Sequence, residues 1–231
     1  MKYPYLLFDA DNTLFDFDAG NRLAFHQVCQ VHDLPESEEH FRLYESINGA
    51  LWTAFDRGEV TKDFLVLERF RRYLAQLELV RDPEACNLTH LTALGKNTLL
   101  LPHALEVCQR LSRTHTLYIV TNAVAAVQKS RLAASAIAPY ITDAFISEEA
   151  GASKPSKEYF DYVFAHIDGI RKENCLLIGD SLTSDISGAI QYGLPCCWYN
   201  PQKKTHPADL MIDYEITDLR QLYEILEEAY E

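Results

Sequence analysis

What this 231-residue chain lacks removes several classes of protein from consideration. No apolar run approaches the roughly 20 residues that cross a bilayer, so no membrane-spanning segment is expected. No long apolar stretch stands at the N-terminus, which runs straight into a strand-like segment, so the expectation is a protein without a secretory signal and with a cytoplasmic location. Positive charge is scarce: 21 Lys and Arg stand against 34 Asp and Glu, for a net charge of −13. A surface that acidic disfavours nucleic acid polymers and anionic membranes. It still permits a small phosphate ester, because a bound cation and a few local donors can reverse the field inside a pocket. Gly-x-Gly-x-x-Gly and Gly-x-x-x-x-Gly-Lys-[Ser/Thr] are both missing, so dinucleotide and P-loop chemistry fail at the level of motif. Cys29, Cys86, Cys108, Cys175, Cys196 and Cys197 never fall in Cys-x-x-Cys spacing. They are expected to be small buried apolar side chains in a reducing compartment rather than a zinc site. Repeats and low-complexity segments are absent, and nothing points to a protein partner.

What is present is organised around Leu6-Leu7-Phe8-Asp9-Ala10-Asp11-Asn12-Thr13-Leu14. A short, uninterrupted apolar run reads as a strand buried on both faces. Side chains two apart on an extended segment point the same way, so Asp9 and Asp11 leave the strand end together. In an open α/β sheet that end faces the crevice where ligands bind. Two neighbouring carboxylates repel unless one is protonated or a cation lies between them. Mg²⁺, which takes carboxylate, carbonyl, water and phosphate oxygens, answers that need.

Strands recur at 116–120, 144–147, 175–178, 195–199 and 214–216, with helical patterns between them. Strand–helix alternation predicts a parallel sheet with helices on both faces. Pro155 is well placed to start the helix that follows its loop. The stretch 17–97 shows helical periodicity and no strand signal, with Thr61 and Pro83 at helix starts. The predicted organisation is a core of residues 1–16 and 98–231 with an inserted helical domain at 17–97. Arg69, Arg71 and Arg72 in the insert read as a solvated helix face, and Trp52 and Phe55 as core. Lys203 and Lys204 read as a solvated loop.

Polar residues stand at the ends of three predicted buried strands and in one loop: Asp9 and Asp11, Thr121 and Asn122, Asp180 with Asp185, and Lys154. Each has a plainer reading as a turn residue, helix cap or surface charge. Their coincidence at one sheet edge is what points to a pocket. The residue types suit phosphoryl transfer. Asp9 fits a carboxylate nucleophile. Asp11 fits an acid that protonates the leaving oxygen and then activates water. Asp180 can complete a Mg²⁺ shell with Asp9 and Asp11, and Asp185 can ligate the ion as well or hold a metal-bound water. The Thr121 hydroxyl and the Asn122 backbone N–H can hold phosphoryl oxygens, and Lys154 supplies fixed positive charge.

Asp9-Ala10-Asp11-Asn12-Thr13-Leu14, Thr121-Asn122, Lys154-Pro155 and Gly179-Asp180-Ser181-x-x-x-Asp185 resemble, in order and spacing, the four motifs of the haloacid dehalogenase-like hydrolases. The resemblance spans the chain. It implies an α/β fold, a Rossmann-like parallel sheet core with an inserted all-helical cap, and dependence on Mg²⁺, with Mn²⁺ as the alternative ion. The first motif is the phosphatase form, because it keeps the second Asp. Asn48-Gly-Ala-Leu-Trp52, Ile146-Ser-Glu-Glu149 and Cys196-Cys-Trp198-Tyr-Asn200 further resemble the noncanonical pyrimidine nucleotidases, although Asn12 stands where close relatives often have Glu. That resemblance implies a phosphatase for nucleoside 5′-monophosphates, pyrimidine forms preferred, acting through an aspartyl-phosphate. Asn48 and Trp52 are the candidate substrate contacts. The alternatives are a phosphatase of another small metabolite, such as a sugar phosphate or phosphoglycolate, and a catalytically idle binding module.

Overall fold

The computed structural model describes residues 2–208 and 210–228. The chain divides into two compact units, Met1–Phe17 with Thr98–Glu231, and Asp18–Asn97.

The first unit is built on six strands: β1 (Tyr5–Phe8), β2 (Thr116–Thr121), β3 (Asp143–Ile146), β4 (Cys175–Gly179), β5 (Cys196–Tyr199) and β6 (Tyr214–Ile216). They form one sheet in the order β3-β2-β1-β4-β5-β6, with every neighbouring pair parallel. β1 is central: Phe8 is in register with Ile119 of β2 and Ile178 of β4. The apolar runs carry no polar alternation because both faces are covered. Leu6, Phe8, Ile119, Ile178 and Tyr199 pack on one face, and Leu7, Val120, Leu177 and Trp198 on the other. All six cysteines are buried and free, and burial pushes the Cys29 thiol up to about 12 and that of Cys196 up to about 11.

The second unit holds α1 (Phe17–His32, whose first residue belongs to the sheet unit), α2 (Glu38–Asp56), α3 (Lys62–Gln76) and α4 (Pro83–Gly95). Ser37, Thr61 and Asp82 each cap a helix by accepting a bond from a first-turn N–H. Phe25, Phe41, Tyr44, Phe70 and Tyr73 fill its core.

The remaining helices belong to the sheet unit: α5 (Ala104–Leu111), α6 (Ala125–Ala134), α7 (Ser147–Ala150), α8 (Lys157–Ala165), α9 (Ser187–Tyr192) and α10 (Leu222–Glu228). Two expectations are corrected. Pro155 does not open α8: Ser156 is the cap, accepting from Tyr159 N, and the helix begins at Lys157. Arg71 and Arg72 are exposed, but Arg69 is buried. Arg69 stands four residues from both Leu65 and Tyr73, which puts it on the buried stripe of α3. Its guanidinium is satisfied by neutral acceptors: Val66 O, Asn48 Oδ1, Asn87 Oδ1 and His90 Nδ1. Burial, reinforced by the nearby Arg69 charge, pushes His90 well below its ordinary pKa, so that ring nitrogen is free to accept. Among the described residues, no helix is long and apolar enough to cross a membrane.

Candidate active site

The site grows out of the sheet edge beyond β1, β2 and β4. Asp9 is the first residue after β1, and its N–H donates to Ile178 O at 2.8 Å, which extends the β1–β4 ladder by one bond. The chain then winds back on itself. Leu14 N and Phe15 N both donate to Ala10 O, and Asn12 N donates to Phe15 O. Asn12 has φ 59, a left-handed conformation that Asn tolerates better than most residues.

Lys154 is the centre of the charge arrangement and only 1% exposed. An ammonium has three hydrogens to give. Nζ donates to Asp9 Oδ1 at 2.6 Å, to Asp185 Oδ1 at 2.6 Å and to Val120 O at 2.7 Å. Burial works against the charge on Lys154, but Asp185 and Asp9 outweigh it and hold the pKa above the usual lysine range. The lysine backbone is fixed as well. Asn122 Nδ2 donates to Lys154 O and Lys154 N donates to Asn122 Oδ1, both at 2.9 Å.

Asp180 follows β4 directly and Asp185 arrives on the next turn. Ser181 Oγ caps that turn by accepting from Ser184 N at 3.2 Å, and Asp185 Oδ2 accepts from Ser181 N at 3.1 Å. Gly179 makes room for this. A Cβ there would lie 2.4 Å from the Asp185 carboxyl carbon, so a side chain would displace the acid. Trp198 Nε1 donates to Asp180 O at 2.9 Å and ties the segment to β5.

Carboxylate oxygens of Asp9, Asp180 and Asp185 lie within 4.8 Å of one another. Burial raises the Asp9 pKa well above the carboxylate range, against the opposing pull of Lys154. Burial, and then the neighbouring Asp185 charge, push Asp180 up to about 7. Three carboxylates face one ammonium here, and the donor set is oxygen only. That is the environment a hard divalent cation fits.

The sheet unit therefore brings together Asp9, Asp180, Asp185 and Lys154, with Asn122 bonded to the lysine backbone. Thr121 ends β2, and its Oγ1 accepts from Ala123 N at 3.2 Å. Asp11 was expected both as an acid and as a metal ligand. Its carboxylate is not in the three-acid group: Oδ1 accepts from Arg131 Nη1 at 2.5 Å. In the helical unit, Asn48 is buried and its Oδ1 accepts from Arg69 Nη1 at 3.3 Å. Trp52 is half-buried and meets Phe55 edge to face.

The sequence pattern of the haloacid dehalogenase-like hydrolases matches residues 3–193. The chain belongs to that family. Among its relatives in this hydrolase family, the pyrimidine 5′-nucleotidase PynA of Streptococcus pneumoniae (strain ATCC BAA-255 / R6) is 32% identical over 228 residues, 98% of this chain and 96% of that protein. The pyrimidine 5′-nucleotidase YjjG of Escherichia coli (strain K12) is 29% identical over 98% of this chain and 99% of its own. YfnB of Bacillus subtilis, described no more finely than as a candidate HAD-hydrolase, has a magnesium-bound crystal structure. That structure covers 98% of this chain and 99% of its own, at 38% identity and a TM-score of 0.93. The Rossmann-like core with a helical cap is thus the architecture of this hydrolase, and hydrolase chemistry is its class.

Sequence reasoning missed two polar residues of this family member. Arg131 and Gln128 lie three apart on α6, a spacing that reads as an ordinary solvated face, yet both are buried. The only sequence signal is that Val127 and Arg131 are four apart, so Arg131 shares the stripe of a core residue.

Proposed function

We propose that the protein is a Mg²⁺-dependent phosphatase hydrolysing nucleoside 5′-monophosphates, pyrimidine forms preferred, through an aspartyl-phosphate on Asp9. The observation that carries the reaction type is the group of three acids, Asp9 and Asp185 buried and bonded to Lys154 and Asp180 half-buried beside them. With all three ionised, the group carries two negative charges beyond what Lys154 neutralises. Asp9, Asp180 and Asp185 would hold the ion, which when bound would supply positive charge to the nucleophile and the phosphoryl oxygens. The nucleotide preference is supported by two relatives over nearly the whole chain.

Each residue then has a task. Lys154, held by Asn122, pins Asp9 by Oδ1 and balances charge as it builds on the phosphoryl group. The Asp9 carboxylate forms a bond to phosphorus as the bond to the leaving oxygen breaks, and Asp11 gives that oxygen a proton. In the second half, water attacks phosphorus, Asp11 takes a proton from it, and the Asp9–phosphorus bond breaks. Inorganic phosphate leaves and both acids return to their starting states. The Thr121 hydroxyl and Asn122 N–H hold phosphoryl oxygens.

The test is a screen of phosphorylated metabolites with Mg²⁺, with Mn²⁺ and with a chelator, on the wild type and on Asp9→Asn. The expected result is chelator-sensitive release of phosphate, fastest from pyrimidine nucleoside monophosphates, abolished in a folded Asp9→Asn variant. Higher kcat/KM for sugar phosphates or phosphoglycolate would overturn the nucleotide assignment. Near-full activity of Asp9→Asn would overturn the mechanism.

A further inference from the structure

One buried contact of the loop after β1 has no task in the reaction above. Arg131, on α6, is 2% exposed. Its Nη1 donates to Asp11 Oδ1 at 2.5 Å and to Gln128 Oε1 at 3.4 Å. Its guanidinium lies over the Phe15 ring, 4.5 Å from the centroid. Gln128, one turn earlier, is wholly buried, and its Nε2 has no hydrogen-bond partner among the described residues. A buried amide with one half unpaired costs stability that an apolar side chain would spare. What the amide provides here is an acceptor for Arg131.

Both sides of the contact are anchored. The Ala10–Phe15 loop is closed by its own backbone bonds. The first turn of α6 is held from α7, where Glu148 Oε2 accepts from Ala125 N at 2.9 Å and Glu149 pairs with Lys129.

We propose that Arg131 is a positioning residue for Asp11. It holds the carboxylate by Oδ1, outside the Asp9–Asp180–Asp185 group, and leaves Oδ2 to carry the proton that passes to the leaving oxygen and is recovered from water. This rests on the acid–base role given to Asp11 above. A short, unanchored carboxylate beside a metal site swings into the shell of the metal, which takes it away from the leaving oxygen; a guanidinium bound at Oδ1 alone keeps it out of that shell. Arginine suits the task because it stays charged at working pH and does not compete for the transferred proton. The Phe15 ring beneath it restrains the plane of the guanidinium.

A leaving-group series tests this without assuming the natural substrate. p-Nitrophenolate departs without a proton, whereas phenolate and an alkoxide need one progressively more. The rate to follow is kcat/KM, which reports the steps up to cleavage of that bond. Asp11→Asn is the reference. The expected result for Arg131→Met is a loss within about 10-fold on p-nitrophenyl phosphate and about 100-fold or more on phenyl phosphate, the scale of general acid catalysis. Arg131→Lys should recover part of the phenyl phosphate rate. Equal losses on both esters, as a purely structural role would give, or no loss on either, overturn the inference. If Asp11→Asn itself shows no leaving-group sensitivity, the acid role assigned to Asp11 is wrong. If Asp11→Asn shows it and Arg131→Met does not, only the role of Arg131 is wrong. Near-UV circular dichroism checks folding. Should Arg131→Met not fold, Arg131→Lys and Gln128→Met carry the comparison, with a smaller selective loss expected and its absence overturning the inference.

Discussion

Lys154 spends its three ammonium hydrogens on Asp9, Asp185 and a strand carbonyl, so its removal leaves two buried carboxylates facing each other. Breaking a buried ion pair from one side costs about 3–5 kcal/mol. Lys154→Met should lose that much stability in urea unfolding at pH 7, and should lose its activity. The loss should shrink in acid. Without the lysine, the folded-state pKa of Asp9, already raised by burial, rises further above its unfolded value near 4, so the variant gains stability as pH falls through that window. Gly179 offers a second test. In Gly179→Ala the new methyl meets the Asp185 carboxyl group, which must turn away from Lys154 and Ser181 N. A displacement of that kind costs about 100-fold in kcat, with circular dichroism unchanged. Activity near that of the wild type would mean that the Asp185 position is not critical.

Among the elements, the legible ones were those with a single physical cause. β1, β2 and β4 announced themselves because strands covered on both faces leave apolar runs that end abruptly at polar residues. Thr61, read from the sequence as a cap, accepts from Phe64 N, and Thr61→Ala should cost about 1 kcal/mol of stability, measured by thermal or urea unfolding. What stayed illegible was polar side chains turned inward. Arg69 in α3, with Arg131 and Gln128 in α6, sit on buried stripes, but single-sequence patterning assigns charged and amide residues to water. Only their partners, distant in sequence, reveal why they are inside: Asn48, Asn87 and His90 for Arg69, and Asp11 for Arg131. The start of α8 was misplaced for a more local reason. Ser156 outcompetes the preceding proline as the cap because its hydroxyl satisfies Tyr159 N.

For the whole molecule, the proposed metal site would link stability and metal binding through the same acids. Asp180, pushed up to about 7 by burial and by Asp185, binds a proton in the folded chain that it has lost in the unfolded chain between about pH 4 and 7. Its contribution in the metal-free protein is therefore greatest below about pH 4 and is given up as pH rises toward 7. Mg²⁺ requires the ionised form, so the rise in Tm on adding Mg²⁺ should be larger at pH 8 than at pH 5. Scanning fluorimetry across that range checks this, and equal shifts at both pH values would count against a metal bound by these carboxylates. The pair of bonds between Asn122 and Lys154 has a consequence of its own. The asparagine amide acts as a surrogate peptide unit, splicing the lysine segment onto the end of β2 as though the sheet ran one rung further. The reach of the ammonium is then set by the strand and not by the loop that delivers it. Insertions or deletions upstream of Ala152 could be absorbed without moving the charge, whereas swapping one nitrogen for oxygen at position 122 would cut the splice.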